Sequence, residues 1–169
     1  VQRETKLCNV KWHTEDGEEI IISTTRPEMI CACGVVVVNP EDDRYSHLLG
    51  KRVKLPIEVA ERDQYVEIAS HPSVKMDFGS GVLMVCSYGD QNDVSIFREL
   101  GLRPFVAINL EGEMTEIAGP LTGMKVIEAR TSAIEILRLS GNLVSTEESL
   151  QEIPVSERGG YPIEIILLK

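Results

Sequence analysis

Two aspartates three residues apart stand at the head of Asp90-Gln91-Asn92-Asp93, where the pattern turns from strand to helix. Carboxylates at such a junction can receive an ammonium and a hydroxyl from a small substrate through short, charge-assisted hydrogen bonds. The spacing also resembles a capping box, with Asp90 as the cap, although the third residue on is usually Glu or Gln. Both readings can hold at once, one acid capping while the other faces a pocket. A second constellation is Ser23-Thr24-Thr25-Arg26-Pro27-Glu28. Hydroxyls and a guanidinium at a strand end suit ribose hydroxyls, a carboxyl or a phosphate. The competing reading is a capped turn that opens a helix with Pro27 first. A third is Asp77-Phe78-Gly79-Ser80-Gly81, leading into Val82-Leu83-Met84-Val85-Cys86. A Gly-Ser-Gly turn lets a ligand approach the backbone closely, and it is equally an ordinary hairpin turn.

Other reactive side chains carry less. Cys86 as a nucleophile would need a histidine to activate it, and none lies near it in sequence. His13, His47 and His71 share no ligand spacing with Cys31 and Cys33, so no metal site and no cofactor are expected. Cys31-Ala32-Cys33 reads as small packing residues, and Lys51-Arg52-Val53-Lys54 as a solvated basic face.

The elements that must position these groups are mostly strands. Glu18 to Thr25 is β-branched, and Gly34 to Val38 is a buried strand. Short strands are expected at Arg52 to Leu55, Tyr65 to Ala69, Gly81 to Cys86 and Val106 to Leu110, the last turned at Glu111-Gly112. Three helices are expected. A short one follows Asn39 as N-cap and Pro40, with Tyr45, Leu48 and Leu49 inward and Gly50 as its stop. A second runs from about Gln91 to Leu100, with Val94, Phe97 and Leu100 on one face. A third covers about Lys125 to Ser140, its apolar stripe Ile127, Ile134 and Leu137. Strands with helices dispersed at uneven spacing favour an α+β domain on a mixed or barrel-like β-sheet core with about three peripheral helices, not a doubly wound parallel sheet.

The 169 residues suit one domain, and 43% hydrophobic content is enough for a core. No apolar run approaches the roughly 20 residues of a membrane span, so no membrane partner is expected. Four cysteines without a CxxC pair point to reduced thiols and a cytoplasmic setting. A net charge of −10 argues against independent tight binding to a phosphate backbone, so if nucleic acid is a partner, either another part of a parent protein supplies most of the attraction or only a short end enters here. The chain begins at Val1 and ends in the strand-like run Ile163 to Lys169, which suggests a piece cut from a longer polypeptide.

Taken in order, the three constellations resemble the editing insertion of the class I valyl-, isoleucyl- and leucyl-tRNA synthetases. The threonine-rich strand ending in TTRPE is Thr24 to Glu28, the FGTG-like turn is Phe78-Gly79-Ser80-Gly81, and the aspartate-rich junction is Gly89 to Asp93. Asn39-Pro40-Glu41-Asp42-Asp43-Arg44-Tyr45, Leu49-Gly50-Lys51, Asn109 to Gly112 and Ser156 to Glu164 resemble the valyl branch. Met84 to Asp90 is similar to archaeal-type valyl enzymes. Bacterial ones usually carry Lys, Thr and His at the places of Met84, Cys86 and Gly89. Arg26, Phe78, Asp90 and Asp93 match the family pocket.

The resemblance implies a single editing domain over 1–169, excised from a larger synthetase and monomeric in isolation. It implies hydrolysis of threonine mistakenly esterified to valine tRNA, with the 3′ end of that tRNA and the rest of the synthetase as partners. By the same resemblance Asp93 takes the substrate ammonium and Asp90 the threonine hydroxyl. Thr24, Thr25 and Arg26 hold the terminal adenosine and its ribose, Phe78 walls the pocket or packs against the adenosine, Cys86 is among the substrate-binding residues, and backbone donors near Gly79, Ser80 and Gly81 assist a positioned water. An isoleucyl domain that clears valine, and a module that binds the tRNA end without turnover, remain as alternatives, as does a cysteine hydrolase using Cys86.

Overall fold

The structure is a computed structural model that describes residues 2–87 and 91–152. Among the described residues, seven strands form one mixed sheet: β1 (Gln2–Thr14), β2 (Glu19–Thr24), β3 (Cys33–Val38), β4 (Arg52–Lys54), β5 (Tyr65–Ser70), β6 (Val82–Cys86) and β7 (Leu143–Glu152). Their order is β2-β1-β4-β5-β3-β6, with β7 also on β1. All pairings are antiparallel except β3 with β5. β1 is long enough to hold β2 along one edge and β7 then β4 along the other. Its buried residues Cys8, Val10 and Trp12 alternate with half-buried Asn9, Lys11 and His13, the period of a strand with one face inward.

The ends of that order, β2 and β6, are drawn together just before β6 begins. Ser80 donates its hydroxyl to the Ile21 carbonyl (2.6 Å), and its N–H donates to Ser23 Oγ (3.0 Å). The sheet thereby curls into a nearly closed, barrel-like wall around Trp12, Ile22, Val36, Val38, Leu48 and Leu55. β3 is buried on both faces. Val36 and Val38 enter that core, whereas Val35 and Val37 meet Ile96 and Phe97 of α1 (Gln91–Glu99) on the other side. This is why Gly34 to Val38 reads as an unbroken apolar run rather than an alternation. Gly34 itself is dictated by contact, since a Cβ there would lie 2.4 Å from the Phe97 ring.

The helical expectations are met unevenly. α2 (Val126–Leu139) lies where a helix is expected, but it buries Val126, Ala129, Ala133 and Leu137, and Ile127 is three-quarters exposed. Two alanines four apart let the helix lie close to the sheet, and the larger Ile127 is turned outward. On α1 the inward residues are Ile96 and Phe97, and Leu100 is exposed. The stretch after Asn39 forms turns and one short 3₁₀ turn, Ser46–Leu48, instead of a helix. Asn39 Oδ1 accepts the Glu41 N–H (2.8 Å) and Asp42 Oδ1 the Arg44 N–H (3.1 Å), side-chain bonds that compete with helical ones. Leu49 is correspondingly exposed. Val106 to Leu110 contributes a single bridge, Ile108 to Met114, rather than a strand. Among the described residues no helix is long and apolar enough to cross a membrane. The terminal run Ile163 to Lys169 and the valyl-like Ser156 to Glu164 lie outside the described residues.

Candidate functional site

β2 ends at Thr24, and the chain turns there into a 3₁₀ segment, Pro27–Ala32, with Pro27 first. The reading as a turn that opens a helical segment with Pro27 first is what the backbone shows. Thr24 is buried and its Oγ1 accepts the Arg26 N–H at 3.0 Å, which fixes the turn. Thr25 and Arg26 follow half-buried at the strand end. Arg26 reaches back to Glu28, Nε to Oε2 at 3.6 Å.

Glu28 is fully buried, and it is the residue whose importance the sequence concealed. Arg130, from the middle of α2, grips it with two bonds, Nε to Oε1 (3.0 Å) and Nη2 to Oε2 (2.9 Å). A fork-to-fork pair of this kind fixes direction as well as distance. It ties the strand end and its 3₁₀ turn to a helix 102 residues away, a separation that leaves no local pattern to detect.

On the other flank, Asp93 lies in the first turn of α1, where the helix dipole favours a negative charge. Its Oδ2 accepts the Cys86 N–H at 3.3 Å, which joins the helix start to the end of β6. Cys86 is the meeting point of the two flanks. Its thiol donates to the Met29 carbonyl (3.3 Å) in the 3₁₀ segment. Its pKa is pushed well above the ordinary thiol range, first by a hydrogen bond with Cys33, then by burial and by the negative charges of Cys33 and Asp93; the Arg26 cation opposes this. The Asp93 carboxylate and the Arg26 cation thus have opposing effects on one buried thiol. A thiol held protonated in this way is a poor nucleophile, which weighs against the cysteine-hydrolase alternative.

The Phe78-Gly79-Ser80-Gly81 turn sits against β2 immediately before Thr24. Gly79 has φ +55°, and a Cβ there would lie 2.3 Å from Ser23 Oγ, so only glycine lets the turn close on the strand. The Ser80 amide is taken by Ser23 and the Gly81 amide by the Phe78 carbonyl (2.9 Å). These two N–H groups serve the fold, so the backbone donors expected here are reduced. Phe78 is partly exposed at the tip. The structure therefore brings Thr24, Thr25, Arg26, Cys86 and Asp93 to one junction, with Phe78 to Gly81 joined to it through Ser23. Asp90 lies outside the described residues.

The remaining polar candidates are engaged elsewhere. His47 meets Glu18 and His71 meets Glu99, each at 2.7 Å. Lys51 pairs with Asp16 and Arg52 with Asp63, in keeping with a solvated basic face. Cys31, Ala32 and Cys33 are all buried packing residues, and burial pushes the Cys31 thiol up to about 12.

No family model matches the chain. Valine–tRNA ligases do match it along nearly its whole length. That of Aeropyrum pernix is 44% identical over 152 residues, covering 90% of this chain and 18% of the ligase. That of Thermoplasma acidophilum is 41% identical, covering 98% and 20%, and that of Thermus thermophilus 38%, covering 94% and 18%. Among solved structures, the ternary complex of Agrobacterium radiobacter K84 LeuRS with tRNA and LeuAMS superposes with TM-score 0.63 at 18% identity, covering 89% of this chain and 20% of that one. The crystal structure of GlLeuRS-CP1 superposes with TM-score 0.61 at 13% identity, covering 78% and 84%. The chain spans about a fifth of the length of the curated relatives it matches. Along nearly its whole length it is similar to one segment of the valine–tRNA ligases, and it has the fold of the GlLeuRS-CP1 structure.

Proposed function

We propose that this chain is an editing domain that hydrolyses threonine from mischarged valine tRNA. The observation that carries the reading is that Asp93, at the start of α1, accepts the Cys86 N–H while the Cys86 thiol reaches the 3₁₀ segment that follows Arg26 at the β2 end. An aminoacyl ester presents a cationic ammonium beside its carbonyl and a ribose with vicinal oxygens beyond it. A carboxylate at the head of α1, and a guanidinium and two threonines at the β2 end, are groups complementary to these.

In this mechanism Asp93, held by the Cys86 amide, receives the ammonium, and Asp90 receives the threonine hydroxyl. Thr25 and Arg26, on the turn that Thr24 fixes, hold the ribose and terminal adenosine, and Phe78 walls them. A water attacks the ester carbonyl carbon, the bond to the ribose oxygen breaks, and that oxygen leaves with a proton while threonine departs as the acid. The ester is already activated, so orientation supplies most of what the step needs. Discrimination of only about 10² between valine and threonine by a hydrophobic pocket is a known property of valyl enzymes, not a result of this structure, and it is the reason a second site is required. A site that hydrogen-bonds the extra hydroxyl leaves an acceptor unpaired when valine enters, which disfavours cleavage of the correct product. The net charge of −10 fits entry of the 3′ end alone, with the rest of a synthetase supplying attraction for the tRNA body.

The test is deacylation of threonyl- and valyl-tRNA(Val) side by side. Asp93→Ala should abolish threonyl turnover with the thermal melt retained, and Asp90→Ala should shrink the threonyl-over-valyl preference. Threonyl turnover that survives Asp93→Ala removes that residue from the site. Binding of the acceptor end without turnover by the unaltered chain would make this a recognition module, and preferred valyl turnover would make it a domain of the isoleucyl kind.

A further inference from the structure

The turn that carries Phe78 is held from its far side by a single short stretch, residues 39–45. Three backbone carbonyls between Val74 and Ser80 are each taken by a side chain of that stretch. Asn39 Nδ2 donates to the Val74 carbonyl (2.8 Å), Arg44 Nη2 to the Met76 carbonyl (2.9 Å) and Tyr45 Oη to the Ser80 carbonyl (2.6 Å). Arg44 is itself set by Asp42 through Nε to Oδ1 (3.0 Å) and Nη2 to Oδ2 (2.8 Å), and its guanidinium lies 5.0 Å over the Tyr45 ring. Asp42 is buried, and the Arg44 hydrogen bond holds its carboxyl below the usual range. Gly81 closes the fit, because a Cβ there would come within 2.7 Å of Arg44 Nη2 and 2.9 Å of the Met76 carbonyl.

Carbonyl capture by side chains is ordinary in turns. Three captures from one seven-residue stretch, on a turn whose opposite side is pinned by Ser23, are more than closure of the sheet requires. Ser80 alone already makes that closure, through Ile21 and Ser23. What the additional bonds fix is the height and angle of the 76–80 segment, and hence of the partly exposed Phe78 ring. We propose that Arg44 and Tyr45 are positioning residues that hold Phe78 at the substrate site through the Met76 and Ser80 carbonyls. The inference rests on the editing reading for the role of Phe78, but the brace itself does not.

Tyr45→Phe tests it by removing one hydroxyl and keeping the ring under Arg44. Two measurements are made on the full chain. The first is amide hydrogen exchange at Phe78 and Gly81, whose N–H groups bond to the Lys75 and Phe78 carbonyls. The second is steady-state deacylation of threonyl-tRNA(Val). Loss of one hydrogen bond should speed exchange at both amides by about three- to tenfold and raise KM by a similar factor, with kcat within twofold. Tyr65→Phe on β5, where the ring lies under Arg52 of β4, serves as the control and should change neither. Unchanged exchange refutes the brace. Faster exchange with unchanged KM refutes its positioning role, since a purely structural tyrosine would lower only the melting temperature. If the unaltered chain shows no turnover, the editing reading falls and the exchange measurement alone decides the brace.

Discussion

Replacing Arg130 with Met should destabilise the chain by about 2–4 kcal/mol, because it strands a carboxylate inside the protein. Glu28 is fully buried, and two of Arg130's bonds end on it at 2.9 and 3.0 Å. Breaking a buried ion pair by removing one partner typically costs about 3–5 kcal/mol. Two features moderate that figure. The Arg130 side chain is about a third exposed, so water can reach the vacated end, and Arg26 stays 3.6 Å from Glu28 Oε2. With a urea dependence of about 2 kcal/mol per molar, the unfolding midpoint should fall by about 1–2 M. Fluorescence reports the transition directly, since Trp12 is the single tryptophan and is 1% exposed. Pairing Arg130→Met with Glu28→Met removes the stranded charge and should restore a large part of the loss, as apolar replacement of both members of a buried pair commonly does. A midpoint shift under 0.5 M in the single variant, or a double variant no better than the single one, would refute the claim that this carboxylate depends on the helix.

Gly34→Ala should cost about 1–3 kcal/mol in a thermal melt, because the new methyl meets the Phe97 ring between β3 and α1; an unchanged Tm would mean that the helix shifts freely. None of the four buried cysteines should take up a thiol-alkylating reagent at pH 8 in the folded chain, and deacylation should survive the treatment. Rapid loss of activity on alkylation would instead favour a cysteine nucleophile. Asp16 is held down to about 2 by hydrogen bonds from Thr14 and then Lys51. Its contribution to stability is therefore present above the unfolded value of about 4 and fades as pH falls toward 2. Thr14→Val should move its titration, followed by NMR, back toward 3.8, and an unmoved titration would show that Thr14 is not the cause.

The parts of the fold that were legible in the sequence are those whose burial is local in pattern. β2, β3 and β6 declare themselves by β-branched or apolar runs, and α1 and α2 by length and by the glycines that follow them, both at positive φ (Gly101, Gly141). β1 is also legible in principle, through the alternation of Cys8, Val10 and Trp12, but only with the residues ahead of Glu18 read as a strand. β7 carries Glu147, Glu148 and Glu152 along an edge of the sheet and offers no apolar alternation; its place is fixed by pairing with β1. Charges on an edge strand discourage further pairing, so the sequence advertises what the strand avoids rather than what it joins. At the site, Arg26, Phe78 and Asp93 stand out by type and by motif. Arg130 does not, because its meaning depends on Glu28 being buried, which no pattern around either residue reveals.

Cys86 shows what kind of chemistry this junction can support. Its backbone amide anchors Asp93, while its thiol is held protonated between Cys33 and the Met29 carbonyl. The side chain at the meeting point thus contributes packing, and the proposed mechanism leaves the polar work to Asp93 and Arg26. On the editing reading, such a site gains rate by holding an already activated ester against a water rather than by making a strong nucleophile. The ratio kcat/KM should then be more sensitive to substitutions that shift the framework, such as those at the Glu28–Arg130 pair or the Arg44–Tyr45 brace, than to Cys86→Ala. That last change removes a thiol but keeps the amide that fixes Asp93. A Cys86→Ala chain that folds normally yet loses turnover more than about a hundredfold would place the chemistry on sulfur and reverse this ordering.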